Sequence, residues 1–219
     1  RVVLISRDNA STPVVSEVTV TIDMQDRIFS GNDIHSWTNL VPDSEAFDNW
    51  TQSGTTTTAN QIANPINGQV TADLVTKTAT GYRYVLKSSL STNDNAGTYV
   101  ASVYAKAETN TSVTILFSKS DVSQGIRGIY DLSNGTVTSS VTFGGASNIS
   151  TAISAIGTDG WYRCSVIGTV TFDNARIYIY PDVYNQTNAG GVYLWGAQVT
   201  QSSSLLDYES YSNSTGTKA

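Results

Sequence analysis

Cysteine, histidine and methionine each occur once in this chain, proline four times, and only 14% of the residues are charged. A lone cysteine, Cys164, cannot close an intrachain disulfide, and a thiolate metal site would need Cys or His ligands that the chain lacks. A Ser-His-Asp mechanism would have to use His35, which lies in the polar run GNDIHSWTN, and no nucleophile-elbow motif occurs. No apolar run approaches the roughly 18 residues that span a bilayer, so no membrane insertion is expected. The net charge of -6 argues against a phosphate-binding surface, which needs clustered Lys and Arg, and excludes nucleic acid as an expected partner. The chain begins with Arg1 and has no signal-peptide pattern, so it reads as a piece of a longer polypeptide.

What fills the sequence instead is Ser, Thr, Asn and Gly between short runs with a period of two. The stretches 16–24, 73–78, 82–90, 98–107, 112–118, 125–132, 135–143, 161–172, 175–181 and 191–199 alternate as strands do, and turn clusters such as STNDNAG, LSNGT and GTDG separate them. No segment carries an amphipathic helix. Many strands without intervening helices predict an all-β fold, an antiparallel jelly-roll β-sandwich, preceded by a short β segment of an upstream domain. Residues 1–24 read as the last two strands of that upstream domain, with a fibronectin-like one in view, because two strands cannot bury a core of their own. Residues 25–37 read as a connector, 38–207 as the jelly roll and 208–219 as a polar tail. The pair Asn134-Gly135 predicts a two-residue hairpin turn.

Alternation also sorts the aromatic runs. In WYRCSV, Tyr162, Cys164 and Val166 fall on one face, which places Cys164 in an apolar row, and Trp161, Arg163 and Ser165 on the other. In VYLWGAQV one face carries Tyr193, Trp195, Ala197 and Val199, the other Val192, Leu194, Gly196 and Gln198. Both are apolar enough to be covered.

The ordered motifs TNLVPDSEAFDNWTQSG (38–54), YVASVYAKA (99–107), IYDLSNGTV (129–137), DGWYRCSV (159–166) and GVYLWGAQV (191–199) carry a resemblance. They resemble the carbohydrate-binding-module-like jelly-roll domain of tail and head-fibre proteins of tailed bacteriophages, over residues 38 to 207. A shorter upstream stretch, VTIDMQDRIFSGNDI, is similar to a segment of phage tail-tip host-attachment proteins. The resemblance implies a domain on the exterior of a virion, in a symmetric assembly such as a trimer, with other phage tail proteins and a host surface polysaccharide or other receptor as partners. Related modules often hold a structural calcium between an early and a late carboxylate. Glu45 and Asp48 can supply the first, VYLWGAQV supplies none and Asp207 is the nearest late carboxylate, so no cofactor is expected.

Glycan binding needs aromatic faces for sugar C–H surfaces and polar groups beside them for the hydroxyls. In ARIYIYP, alternation sends Arg176, Tyr178 and Tyr180 to one side, and the next loop adds Tyr184 and Asn185. These five residues, with Trp50 as a further ring, are the candidate carbohydrate-binding set. Tyr82 and Tyr84 form a second same-face pair. The alternatives are a bare strand surface, a subunit interface, where tyrosine is enriched, and, for Trp50, a core anchor. Hydrolysis would need two carboxylates across a cleft, whereas Asp43, Glu45 and Asp48 share one loop, so no enzyme is expected. The function expected is host attachment at a phage tail tip or fibre. The alternative is a carbohydrate-binding module of a secreted bacterial polysaccharide-degrading protein.

Overall fold

The computed structural model describes residues 39–92, 96–184 and 189–211. The expected upstream strands at 1–24 and the connector at 25–37 lie outside the described residues, as does His35. Twelve strands follow a 3-10 turn at Phe47–Asn49: β1 (Thr51–Ser53), β2 (Thr55–Ala63), β3 (Val70–Lys77), β4 (Tyr84–Leu90), β5 (Gly97–Ala107), β6 (Ser112–Lys119), β7 (Gly125–Asp131), β8 (Thr136–Phe143), β9 (Ser147–Ile156), β10 (Trp161–Val170), β11 (Ala175–Tyr180) and β12 (Gly190–Gln201). They form two six-stranded sheets, a front sheet ordered β1-β4-β11-β6-β7-β8 and a back sheet ordered β2-β3-β12-β5-β10-β9. The pairings are antiparallel, and the chain passes repeatedly between the layers, giving the expected jelly-roll sandwich.

The inner faces are built from the residues that alternation assigns to them. Ala101, Val103 and Ala105 of β5 and Cys164, Val166 and Val170 of β10 meet Ile115 and Phe117 of β6 and Ile177 and Ile179 of β11 in one core. Cys164 is fully buried there, and desolvation pushes its thiol pKa far up. The two layers are also tied by a polar bond, the Tyr130 hydroxyl donating to the Ser165 carbonyl at 2.6 Å. A buried phenol keeps its partner because an unmade bond there would cost the group's full desolvation.

Three strands lacked a legible signal. β1, β2 and β9 are rich in Thr, Ser and Asn, and β2 and β9 lie at the two edges of the back sheet, where one strand neighbour suffices and an apolar stripe is not required. Two local expectations are corrected. β12 contains a bulge at Gly196, whose φ is +60°, and the register shifts between Trp195 and Gln198. The extra residue moves Ala197 and Val199 onto the inner face with Val192 and Leu194, and leaves Trp195 and Gln198 facing outward. The hairpin at Asn134-Gly135 has four loop residues, since Asp131 pairs with Thr136 and only Gly135 has a positive φ. The Asp131 carboxylate accepts from the Ser133 backbone N–H, the Ser133 hydroxyl and the Asn134 amide, which stabilises this wider turn.

Packing also continues beyond the expected boundary at 207. Tyr208 lies against Trp195 and Tyr104, and the Tyr211 backbone N–H donates to the Ser44 hydroxyl, so the segment through Tyr211 belongs to the sandwich rather than to a polar tail.

Candidate functional site

The outer face of the front sheet gathers the tyrosines. Across β11, β6 and β7 the row Tyr178, Leu116, Arg127 runs side by side, with Arg176 opposite Ser118 in the next row. β4 lies on the other side of β11 and sets Leu86 beside Tyr178. This neighbourhood brings the pair from 82–84 onto the pair from 178–180. Tyr84 meets Tyr178 edge-on at 5.0 Å between centroids and Tyr180 at 5.4 Å. Residues 181–184, which follow β11, place Tyr184 at 5.0 Å from Tyr180 and 4.7 Å from Tyr82.

That loop is fixed at its root. The Asn110 amide donates to the Pro181 carbonyl at 2.7 Å, the Thr114 hydroxyl donates to the Asp182 carbonyl at 2.9 Å, and the buried Lys77 ammonium pairs with the Asp182 carboxylate at 3.3 Å. Tyr184 in turn carries the Arg127 guanidinium over its ring, Cζ lying 4.0 Å from the centroid, a cation–π arrangement.

Tyr178 and Tyr180 are each only 4% exposed, which corrects their expected role as an open platform. They form the floor, because Tyr84, Tyr184 and Phe143 pack over the same cluster. The Tyr180 phenol pKa is raised far above its ordinary value by burial and by the neighbouring phenols. The exposed ring is Tyr82, at 48%, with Tyr184 and Tyr84 half-buried beside it. Arg176 is half-buried and its Nη1 donates to the Tyr178 hydroxyl at 3.5 Å. Asn185 lies outside the described residues. Trp50 is a core anchor and not a site ring: it is 4% exposed, packs against Phe47 at 4.7 Å and donates its indole N–H to the Asp43 carbonyl.

Arg127 was missed by the strand reading of GIRGIYDL. Its only sequence signal is a charge between two glycines in an otherwise apolar strand. The arrangement is an aromatic surface with two guanidinium groups beside its rings.

The back sheet has an aromatic cluster of its own, made of Tyr104, Trp161 and Trp195. Tyr208 covers it, its hydroxyl donating to Glu45 at 3.0 Å and sharing a bond with the Ser44 hydroxyl at 2.9 Å. Arg163 lies over Tyr104, its Nη2 donates to Ser102 and Gln198, and the Asp207 charge acts on it. Of the calcium candidates, Glu45 accepts from Tyr208, Asp207 lies near enough for its charge to act on Arg163, and Asp48 lies beside the buried Asp73. Asp73 itself accepts from the Phe47 and Asn60 backbone N–H groups and holds the 3-10 turn. Among the described residues no group of three or more His, Cys, Asp or Glu could hold a metal ion.

No family model matches the sequence, and no curated protein matches it. Among solved structures, the chain is similar to the enzymatically active domain of tailspike protein 4 of bacteriophage CBA120, with 14% identity and a TM-score of 0.41 over 74% of this chain and 21% of that one. It is also similar to a carbohydrate-binding module from Cellvibrio mixtus lichenase 5A, solved with cellotriose, with 14% identity and a TM-score of 0.38 over 75% of this chain and 97% of that one.

Proposed function

We propose that this chain is a non-catalytic, glycan-binding β-sandwich on the exterior of a bacteriophage virion, at the tail tip or a fibre, where it attaches the particle to host surface polysaccharide. The observation that carries the glycan reading is the convergence of five tyrosines and two arginines on one outer face of the front sheet. Tyr82 and Tyr184 offer the rings for stacking, and the buried floor keeps them in place. The virion assignment rests on the ordered motifs that resemble phage fibre domains. In that setting its partners are other tail proteins and further copies of itself, in a trimer.

The test is adsorption to host cells, or binding on a glycan array, by a folded Tyr82→Ala, Tyr184→Ala double variant. The loss of each stacking ring should cost about 1 to 3 kcal/mol of binding. Undiminished binding by this variant would remove the face from the reading. The assembly is tested by solution mass of the full chain, where a monomer at high concentration refutes the trimer.

A further inference from the structure

Arginine is charged at every accessible pH, and a buried N–H of its guanidinium normally has an acceptor. On the outer face of the front sheet two such groups have none: the Nε atoms of Arg127 and Arg176 are buried without a hydrogen-bond partner. Nor does either guanidinium have an acidic partner among the described residues. The ion pairs there are lysine pairs, Lys77–Asp182, Lys87–Asp43 and Lys119–Asp121. Arg127 is held by the ring of Tyr184, and Arg176 by the Tyr178 hydroxyl alone.

The contrast with Arg163 on the back sheet is direct. That residue also has a buried, unpartnered Nε, but its Nη2 reaches Ser102 and Gln198, and the charge of Asp207 lies close enough to stabilise it. The two front-sheet arginines have no such compensation although the protein carries an excess of six negative charges from which a partner could be drawn. Arg127 ends the row of Tyr178 and Leu116, and Arg176 stands in the next row on β11, so the two strands that bear them are two spacings apart, about 10 Å across the sheet. Both side chains are only half-buried, so it is the charge of each guanidinium, not its covered Nε–H, that is left for a carboxylate or phosphate to complement.

We infer that the glycan taken by this face is anionic, a polysaccharide bearing carboxylate or phosphate groups that are bound by Arg127 and Arg176 while its sugar faces lie on Tyr82 and Tyr184. The inference rests on the glycan reading above and specifies its substrate class. A neutral polymer would leave both guanidinium charges without a complement.

The experiment measures binding of the full chain to polygalacturonate, to poly(glycerol phosphate) teichoic acid, and to carboxyl-reduced polygalacturonate as the neutral counterpart, at low and high salt. At least one acidic polymer should bind about tenfold or more tightly than the neutral one, with the preference falling as salt screens it. Preference for polygalacturonate assigns carboxylate, and preference for the teichoic acid assigns phosphate. The Arg127→Gln, Arg176→Gln double variant should lose the preference, its affinity for the acidic polymer falling about tenfold further than its affinity for the neutral one, and Tyr82→Ala should weaken acidic and neutral binding by the same factor. Equal binding of charged and neutral polymers, or an undiminished preference in a folded double variant, would overturn the inference and leave the glycan reading standing. Binding to none of the three polymers would overturn both. If the double variant does not fold, the wild-type preference and its salt dependence decide the question.

Discussion

The two outer faces of this sandwich use the same materials to different ends. Each has a cluster of rings with arginine lying over a tyrosine, Arg127 on Tyr184 in front and Arg163 on Tyr104 behind. Behind, the cluster is closed by Tyr208, with hydrogen bonds to Ser44 and Glu45, and the arginine is supplied with Ser102, Gln198 and a nearby carboxylate. In front, nearly half of Tyr82 is open to solvent and the arginines stand without acidic partners. Covering an aromatic cluster and satisfying its charge makes it part of the structure. A cluster left partly open and cationic keeps its unused interactions for something outside the chain.

The largest effect that tests this comparison is on stability. Trp195→Ala, in the closed cluster, should destabilise the fold by about 3 to 5 kcal/mol, while Tyr82→Ala should stay within about 0.5 kcal/mol, both read by denaturant unfolding. Similar losses from the two variants would mean that the front face is as structural as the back one.

A smaller effect is expected at the closing contact. Tyr208→Phe removes the bonds to Ser44 and Glu45 but keeps the ring, and should cost about 1 kcal/mol. Burial raises the Glu45 carboxyl above its ordinary 4.5, with the Tyr208 hydroxyl opposing. The folded protein therefore holds that proton more tightly than the unfolded chain does. The contribution of Glu45 is full below 4.5 and is lost as pH rises through the higher folded value. Glu45→Gln should flatten this part of the melting-temperature profile, and a profile identical to wild type would detach Glu45 from the closure.

The smallest effect should come from the rim of the front sheet. The Ser133 hydroxyl and Asn134 amide hold the Asp131 carboxyl down to about 2 from its ordinary 3.8. Its support of the β7–β8 turn is present above 3.8 and is lost as pH falls through about 2. Asp131→Ala should lower the melting temperature slightly at neutral pH and not at all at the acid end. It should also leave the proposed glycan binding unchanged, which would separate the rim of this sheet from its face.

Much of the core was legible because alternation is a local property. Cys164, Val166, Ile177 and Ile179 lie on the faces that their spacing assigns. Where one residue breaks the period, the reading fails beyond it: Gly196 adds a residue to β12, and Ala197 and Val199 change sides. The site was half legible for a related reason. Spacing puts Tyr82 with Tyr84 and Tyr178 with Tyr180, but only the pairing of β4 with β11 joins the two, and their order in the sheet is not written in either segment. The same sheet order carries the cluster across to Arg127, two strands from β11. Burial of Tyr178, Tyr180 and Trp50 was equally beyond the sequence, since it depends on what folds over them.

The buried pair of Lys77 and Asp182 has a kinetic meaning. It fixes Asp182, two residues before Tyr184, to β3, a strand of the opposite sheet, so the position of the ring is set from within the fold. On the glycan reading proposed above, little freedom of the Tyr184 ring is then left to lose on association. On that reading, differences in affinity between related glycans should appear in how long each stays bound rather than in how fast it arrives.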